Sequence, residues 1–427
     1  MKRSAAMEFK RQKYMDALVE RMHNGMIKVV TGIRRSGKSY LLFNLFVRYL
    51  MQQGTAMDHI LNMQLDRWDM RRYRDPDMLL SWIHERMTDE GDYYILLDEV
   101  QFLDHFEEVL NSLLYESHVD VYVTGSNSKF LSNDILTAFR GRGDEIHVYP
   151  LAFSEFMEQY DGDMYHGWAD YATYGGLPQV ASMKTEQQKI TYLQSLFKET
   201  YLKDILERHK LKYPEGMEDL VNVLASSIGT LMNPTKILAT FQSRFHSKLS
   251  LNTIRQYIDF LEEAFLIQKA VRYDVKGRKY IDTPVKYYFE DVGLRNARLD
   301  FRQVEETHLM ENIIYNELRC RGYLVDVGVV NRRILDEESG RMLSRQLEVD
   351  FIASLGNKRY YIQSAFHLPD EEKLRQEKAS LLALSDGFKK IILVKDVMRP
   401  RRGDDGILIM SVFDFLLYPH GLDEVFA

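Results

Sequence analysis

Met26-Ile27-Lys28-Val29-Val30-Thr31-Gly32-Ile33-Arg34-Arg35-Ser36-Gly37-Lys38-Ser39-Tyr40-Leu41-Leu42 decides how the first third of this chain folds. The run ending at Thr31 reads as a buried strand, while Leu41, Leu42, Leu45 and Phe46 recur at helical spacing. Between them stands Gly32-x4-Gly37-Lys38-Ser39, a glycine-bearing turn that opens a helix. Such a turn bends the backbone so that consecutive N–H groups and the helix N-terminus surround a phosphate. Lys38 is expected to reach the terminal phosphates of ATP, and Ser39 to ligate Mg2+. Gly32 to Tyr40 is the expected nucleotide cradle. Within it Ile33 and Ser36 contribute backbone, and Arg34 and Arg35 either touch nucleotide or a neighbouring domain or are surface charge.

Outward from this turn, apolar runs at His59–Leu65, Tyr93–Leu97, Val119–Thr124 and Glu145–Tyr149 alternate with helical patterns such as Ser39–Met51 and Asp104–Tyr115. Runs without polar alternation suit strands buried on both faces, so an α/β domain with a parallel sheet is expected over residues 1–151. The run Tyr93–Leu97 ends in Asp98-Glu99. An acid at a buried strand tip suits a magnesium site, so Asp98 is the expected metal partner and Glu99 the expected base for an attacking water. After Thr124 the segment Gly125-Ser126-Asn127-Ser128 puts small polar groups where a phosphate or water sensor belongs, with Asn127 or Ser126 as candidates. Arg140 and Arg142 are candidates for neutralising transition-state charge, in cis or across a subunit interface, or else belong to a solvated loop.

The bulk numbers fit this reading. At 427 residues the chain exceeds a single core, and 45% apolar with 28% charged residues marks a folded protein without low complexity. The one cysteine, Cys320, fits a reducing compartment and a cytoplasmic location, and no stretch approaches the roughly 18 apolar residues of a membrane span. A net charge of −7 restricts any nucleic-acid contact to a local basic patch.

After Pro150 helices dominate, one of them starting near Thr185, whose spacing to Gln188 suits an N-cap. Residues 152–214 read as a helical, lid-like region. Residues 215–298 read as a winged-helix domain: three helices, then a hairpin turning at Lys276-Gly277. Its third helix carries Arg255 beside Asp259, Glu262 and Glu263, which repel phosphate. The hairpin carries Arg272, Lys276, Arg278 and Lys279, suited to a DNA backbone or to a protein partner. Residues 299–427 read as a second α/β domain, with helix Glu305–Arg321 and strands at Tyr323–Val330, Gln346–Ala353, Arg359–Ser364 and Lys390–Lys395.

The ordered set Gly32-x-Arg34-Arg35-x-Gly37-Lys38-Ser39, Leu97-Asp98-Glu99-Val100-Gln101, Thr124-Gly125-Ser126-Asn127-Ser128, Gly141-Arg142, Tyr149-Pro150-Leu151-x-Phe153-x-Glu155-Phe156 and Tyr174-Gly175-Gly176-Leu177-Pro178 resembles a prokaryotic family of AAA+-like ATPases with a C-terminal domain of unknown function. The resemblance covers nearly the whole chain. It implies an ATPase core, a winged-helix region and a C-terminal domain similar to restriction-endonuclease-like nucleases. A nuclease of that kind needs carboxylates for a divalent cation and a nearby lysine. Glu317, Asp350 and Glu348 are the candidate carboxylates, but Gln363 and Ala365 stand where an acid and a lysine belong, so cleavage is not expected. The expected function is an ATP-driven switch or remodeller, working as a single chain or a homo-oligomer, with a DNA-binding regulator and an ATP-gated nuclease as rivals.

Overall fold

The computed structural model describes residues 7–126, 141–211, 213–244, 249–335, 342–396, 399–418 and 421–423. They form two compact units: residues 1–151 with Leu177–Ser182 and Glu262–Leu266, and residues 152–176, 183–261 and 267–427.

In the first unit β1 (Ile27–Thr31), β2 (Ile60–Gln64), β3 (Tyr93–Asp98), β4 (Val119–Thr124) and β5 (Gly143–His147) form a parallel sheet in the order β2-β3-β4-β1-β5. Alternate side chains feed two cores. Val29, Ile95, Leu97, Val121 and Val123 pack on one face, and Val30, Leu96 and Tyr122 meet Leu42 and Phe46 on the other. Every residue of β1 and β3 is buried, which explains why these strands read as continuous apolar runs. Lys28 interrupts that pattern, and its buried ammonium pairs with the buried carboxylate of Asp120 on β4. The helix after the phosphate loop is wound as α at Lys38–Tyr40, π at Leu41–Phe46 and α again at Val47–Gln52.

The second unit combines helices with a mixed eight-stranded sheet. It is built from β6 (Ile267–Asp274), β7 (Lys279–Phe289), β8 (Leu324–Leu335), β9 (Met342–Leu355), β10 (Lys358–Ala365), β11 (Lys389–Val394), β12 (Arg401–Arg402) and β13 (Leu408–Ser411). Their order is β12-β13-β11-β10-β9-β8-β6-β7. The hairpin expected as a free wing is therefore the end of this sheet, because β6 pairs in parallel with β8 from Arg272 to Asp274. Arg272 consequently leaves the basic patch: it is buried and donates to Gln346 Oε1. Lys276, Arg278 and Lys279 stay exposed at the turn.

Helices of this unit include Met164–Tyr174, Glu186–Leu196, Pro214–Ser226, Pro234–Arg244, Val292–Arg298 and Glu306–Cys320. Thr185 caps its helix by accepting from the Gln188 N–H. Asp291 caps Val292–Arg298 through the Leu294 N–H at 2.9 Å and also accepts from Gly176 N–H at 2.8 Å, so a buried carboxylate ties the Gly175-Gly176 turn to that helix. Burial raises the Asp291 pKa to about 6 despite these donors. Among the described residues no helix is long and apolar enough to cross a membrane.

Candidate functional site

β1 and β3 deliver their chemistry at the same edge of the sheet because parallel strands share a C-terminal side. Gly32, at φ 132°, leaves β1 where a Cβ would stand 2.2 Å from the Val148 carbonyl oxygen, so only glycine fits. Gly37, at φ 100°, opens the helix, and Pro178 lies 3.7 Å from the position its Cβ would take. Arg35 and Tyr40 are exposed, Arg34 is half-buried, and Ile33 and Ser36 are buried. Tyr40 donates to Glu8, a contact that turns its ring toward the N-terminal segment.

Lys38 is buried and donates to the Gly32 and Ile33 carbonyls at 2.8 and 3.0 Å, folding its ammonium into the loop itself. The Ser36 hydroxyl is buried with no hydrogen-bond partner among the described residues. A charged donor folded onto the loop carbonyls and an unpartnered Ser36 hydroxyl in the same turn fit an anionic ligand such as a nucleotide phosphate.

Ser39 Oγ donates to Asp98 Oδ1 at 3.0 Å, and Thr124 Oγ1 donates to the same oxygen. Burial raises the Asp98 pKa, while these two hydroxyls pull it down. A hydroxyl and a carboxylate oxygen at a buried strand tip are hard donors suited to Mg2+. Glu99 adopts a left-handed backbone at φ 50°, and its N–H donates to Thr124 Oγ1 at 2.9 Å. Its carboxylate accepts from Ser126 Oγ at 3.1 Å and from Gln101 Nε2, and Arg34 Nε lies 3.4 Å from the same Ser126 hydroxyl.

The structure thus brings Lys38, Ser39, Asp98, Glu99, Ser126 and Arg34 together. Thr124, Gln101 and Pro178 join them without having been assigned roles from sequence. Thr124 ends a strand next to Asp98's strand, and its parallel pairing is the signal that places its hydroxyl there. Asn127 and Arg140 lie outside the described residues. Arg142 precedes β5 at the opposite edge: its carbonyl accepts from Ile27 N–H, and its guanidinium sits over the Tyr115 ring. The length of β1 separates it from Gly32, about 16 Å at ~3.3 Å per residue, which removes the in-cis role.

The second unit gathers two of the expected carboxylates, Glu348 and Asp350, with Glu311 and Lys286 in place of Glu317. Lys286 of β7 lies 2.9 Å from Glu311, 2.8 Å from Glu348 and 3.8 Å from Asp350, and Tyr288 donates to Glu311 at 2.6 Å. Burial disfavours the Lys286 charge, but Glu311, Asp350 and Glu348 outweigh it and raise its pKa. Glu317 is not part of the cluster and pairs with Arg321 at 2.7 Å. Six residues along a helix turn a side chain to another face, so Glu311 and Glu317 cannot share one site. Gln363 accepts from Ser380, and Ala365 is buried in the core. Among the described residues no three His, Cys, Asp or Glu side chains are placed to hold a metal ion.

Residues 24–157 match the model of an AAA domain, and residues 165–305 match a domain of unknown function, DUF8612. A Haemophilus influenzae protein described as uncharacterised is 34% identical over 413 residues, covering 95% of this chain and 98% of its own. A Methanocaldococcus jannaschii protein, likewise uncharacterised, is 24% identical over 376 residues, covering 84% of this chain and 79% of its own. Among solved structures, the Aeropyrum pernix ORC1 protein in complex with DNA aligns at TM-score 0.30 and 13% identity, over 69% of this chain and 93% of that one. Cdc6p from Pyrobaculum aerophilum aligns at TM-score 0.29 and 10% identity, over 72% and 96%.

Proposed function

This chain belongs to the family of its Haemophilus influenzae relative and carries an AAA domain, and from that premise we propose that it binds Mg-ATP and hydrolyses it as a switch or remodeller. The observation that carries the reading is the convergence of Lys38, Ser39, Asp98 and Glu99 at one edge of the parallel sheet. Lys38 exchanges its loop carbonyls for the terminal phosphates, and the Gly32–Tyr40 turn supplies backbone donors. Magnesium, when bound, neutralises phosphate charge. Ser39 and Asp98 hold its place, Thr124 orients Asp98, and Glu99 positions and deprotonates the attacking water. Asn127 and Ser126 are the proposed sensors, and Arg142 acts across a subunit interface of a homo-oligomer.

We assign the ATPase to residues 1–151, a lid-like region to 152–214, a winged-helix region to 215–298 whose hairpin is built into the C-terminal sheet, and a nuclease-like but inactive domain to 299–427, in a cytoplasmic protein. The exposed Lys276, Arg278 and Lys279 support a second reading in which the hairpin contacts a DNA backbone. Titration with Mg-ATP tests the main reading: Lys38→Ala should bind at least about tenfold more weakly, about 1.4 kcal/mol, with unchanged circular dichroism. Equal affinity in the two proteins would refute it.

A further inference from the structure

The C-terminal end of β2 runs into Arg67-Trp68-Asp69-Met70-Arg71-Arg72-Tyr73-Arg74, at the edge of the sheet that also carries the phosphate loop. Trp68 is 75% exposed, and the Arg71 guanidinium lies 4.1 Å from the centroid of its ring. Arg72 lies 4.5 Å from the centroid of Tyr73. Two of the four arginines are committed to carboxylate or carbonyl acceptors, and Arg72 donates to the Tyr73 hydroxyl. Arg67 makes a bidentate pair with Asp69 at 3.0 and 2.8 Å, and Arg74 donates to the carbonyls of Leu65 and Asp66. Asp75 is committed as well, accepting from the Met78 N–H at 3.1 Å. Arg71 and Arg72 are exposed and have no carboxylate partner among the described residues.

The indole offers a large exposed ring face, and the guanidiniums of Arg71, over it, and Arg72, over Tyr73, lack carboxylate partners among the described residues and supply local positive charge to a protein of net charge −7. We propose that this patch binds single-stranded nucleic acid, with an unpaired base stacked on Trp68 and phosphates on Arg71 and Arg72. An acidic peptide would satisfy the guanidiniums but brings no flat group to the ring face that Arg71 leaves open. A duplex keeps its bases stacked on each other and offers none to the indole. The patch also adjoins the candidate site, since the Arg74 guanidinium stacks at 4.6 Å over Phe102, and Gln101 holds the Glu99 carboxylate.

The test is binding to the full chain without nucleotide, so its outcome is independent of the ATPase reading. A labelled oligothymidylate of about twenty nucleotides is followed by fluorescence anisotropy, with a matching duplex and polyglutamate as competitors. Saturable binding is expected, with affinity falling with salt at a log–log slope of about −1.4, the value for two phosphates on a single strand. Trp68→Ala and the Arg71→Ala/Arg72→Ala pair should each weaken it about tenfold, with wild-type thermal midpoints because these side chains face solvent. Equal binding of oligouridylate would extend the site to RNA. Absence of binding, wild-type affinity in both variants, or displacement by polyglutamate or duplex as effective as by unlabelled strand would overturn the proposal.

Discussion

Ser39 and Asp98 share a hydrogen bond of 3.0 Å across the mouth of the sheet, one from the start of a helix and the other from the tip of β3. The pair is preassembled by Thr124, which donates to the same Asp98 oxygen. Asp98→Asn keeps the shape and removes the charge, so magnesium-dependent nucleotide affinity and turnover should fall together, each by at least about tenfold. Isothermal titration with and without Mg2+ reads both effects. Because burial raises the Asp98 pKa, its own contribution to apo stability is present at low pH and lost as pH rises through the folded value. Mg-ATP should therefore stabilise the protein more at higher pH.

Asp291 offers a sharper pH dependence. Burial raises its pKa to about 6, above the unfolded value, so the folded state holds the proton more tightly. The sign follows: stability from this group is full below the unfolded pKa near 4 and is lost as pH rises through 6, by about 3 kcal/mol for a shift of ~2 units. Denaturant titrations from about pH 4 to 6.5, which spans the window set by the two values, should show that slope in wild type and lose it in Asp291→Asn. An unchanged slope in the variant would assign the effect to another group.

Lys286 holds three carboxylates together, and removing it leaves Glu311 and Asp350 buried, and Glu348 half-buried, without their counter-ion. Lys286→Met should destabilise the protein by about 3–5 kcal/mol, and Glu311→Gln added to it should restore part of that loss. Urea unfolding of the two variants measures both. With that ammonium seated among the acids, the protein should not cut DNA or RNA with Mg2+ or Mn2+. Cleavage that vanishes in Asp350→Ala would move the protein into the nuclease class.

What the sequence made legible follows from period and punctuation. The strands of the first sheet are buried on both faces, so their apolar runs stand out, and the glycine turn marks the site between β1 and its helix. Lys28 and Asp120 passed unnoticed inside such runs because their pairing is visible only once β1 and β4 are neighbours. Hairpins carry no mark of what lies beside them, so β6–β7 looked like a free wing until its parallel pairing to β8 was seen. Lys286 was missed for the same reason: a lysine on one strand meets acids on a distant helix and strand only through long-range packing. Glu311 and Glu317 are both acids on one helix, and the helical rotation that separates them needs the facing strand to choose a face.

Arg142 and Glu99 lie at opposite ends of the sheet in one chain, so under the proposed ATPase reading they would serve the same ATP across a subunit boundary. Glu99→Gln preserves size and hydrogen bonding but removes basicity, and base catalysis contributes typically about 10² to 10⁴-fold. That variant should bind Mg-ATP and turn it over slowly. Arg142→Ala should likewise bind nucleotide, and an arginine supplied in trans is worth roughly 10³-fold or more in related phosphoryl transfers. Each variant alone then lacks one half of every site. Mixed in equal amounts, a subunit with intact Glu99 meets a neighbour with intact Arg142 in about a quarter of random interfaces, if contacts are head-to-tail. Hydrolysis should reappear at about that fraction of wild type and follow the mixing ratio. If Arg142→Ala alone turns over at the wild-type rate and mixing restores nothing to Glu99→Gln, Arg142 is a half-buried residue stacked on Tyr115, and transition-state charge is neutralised by another group.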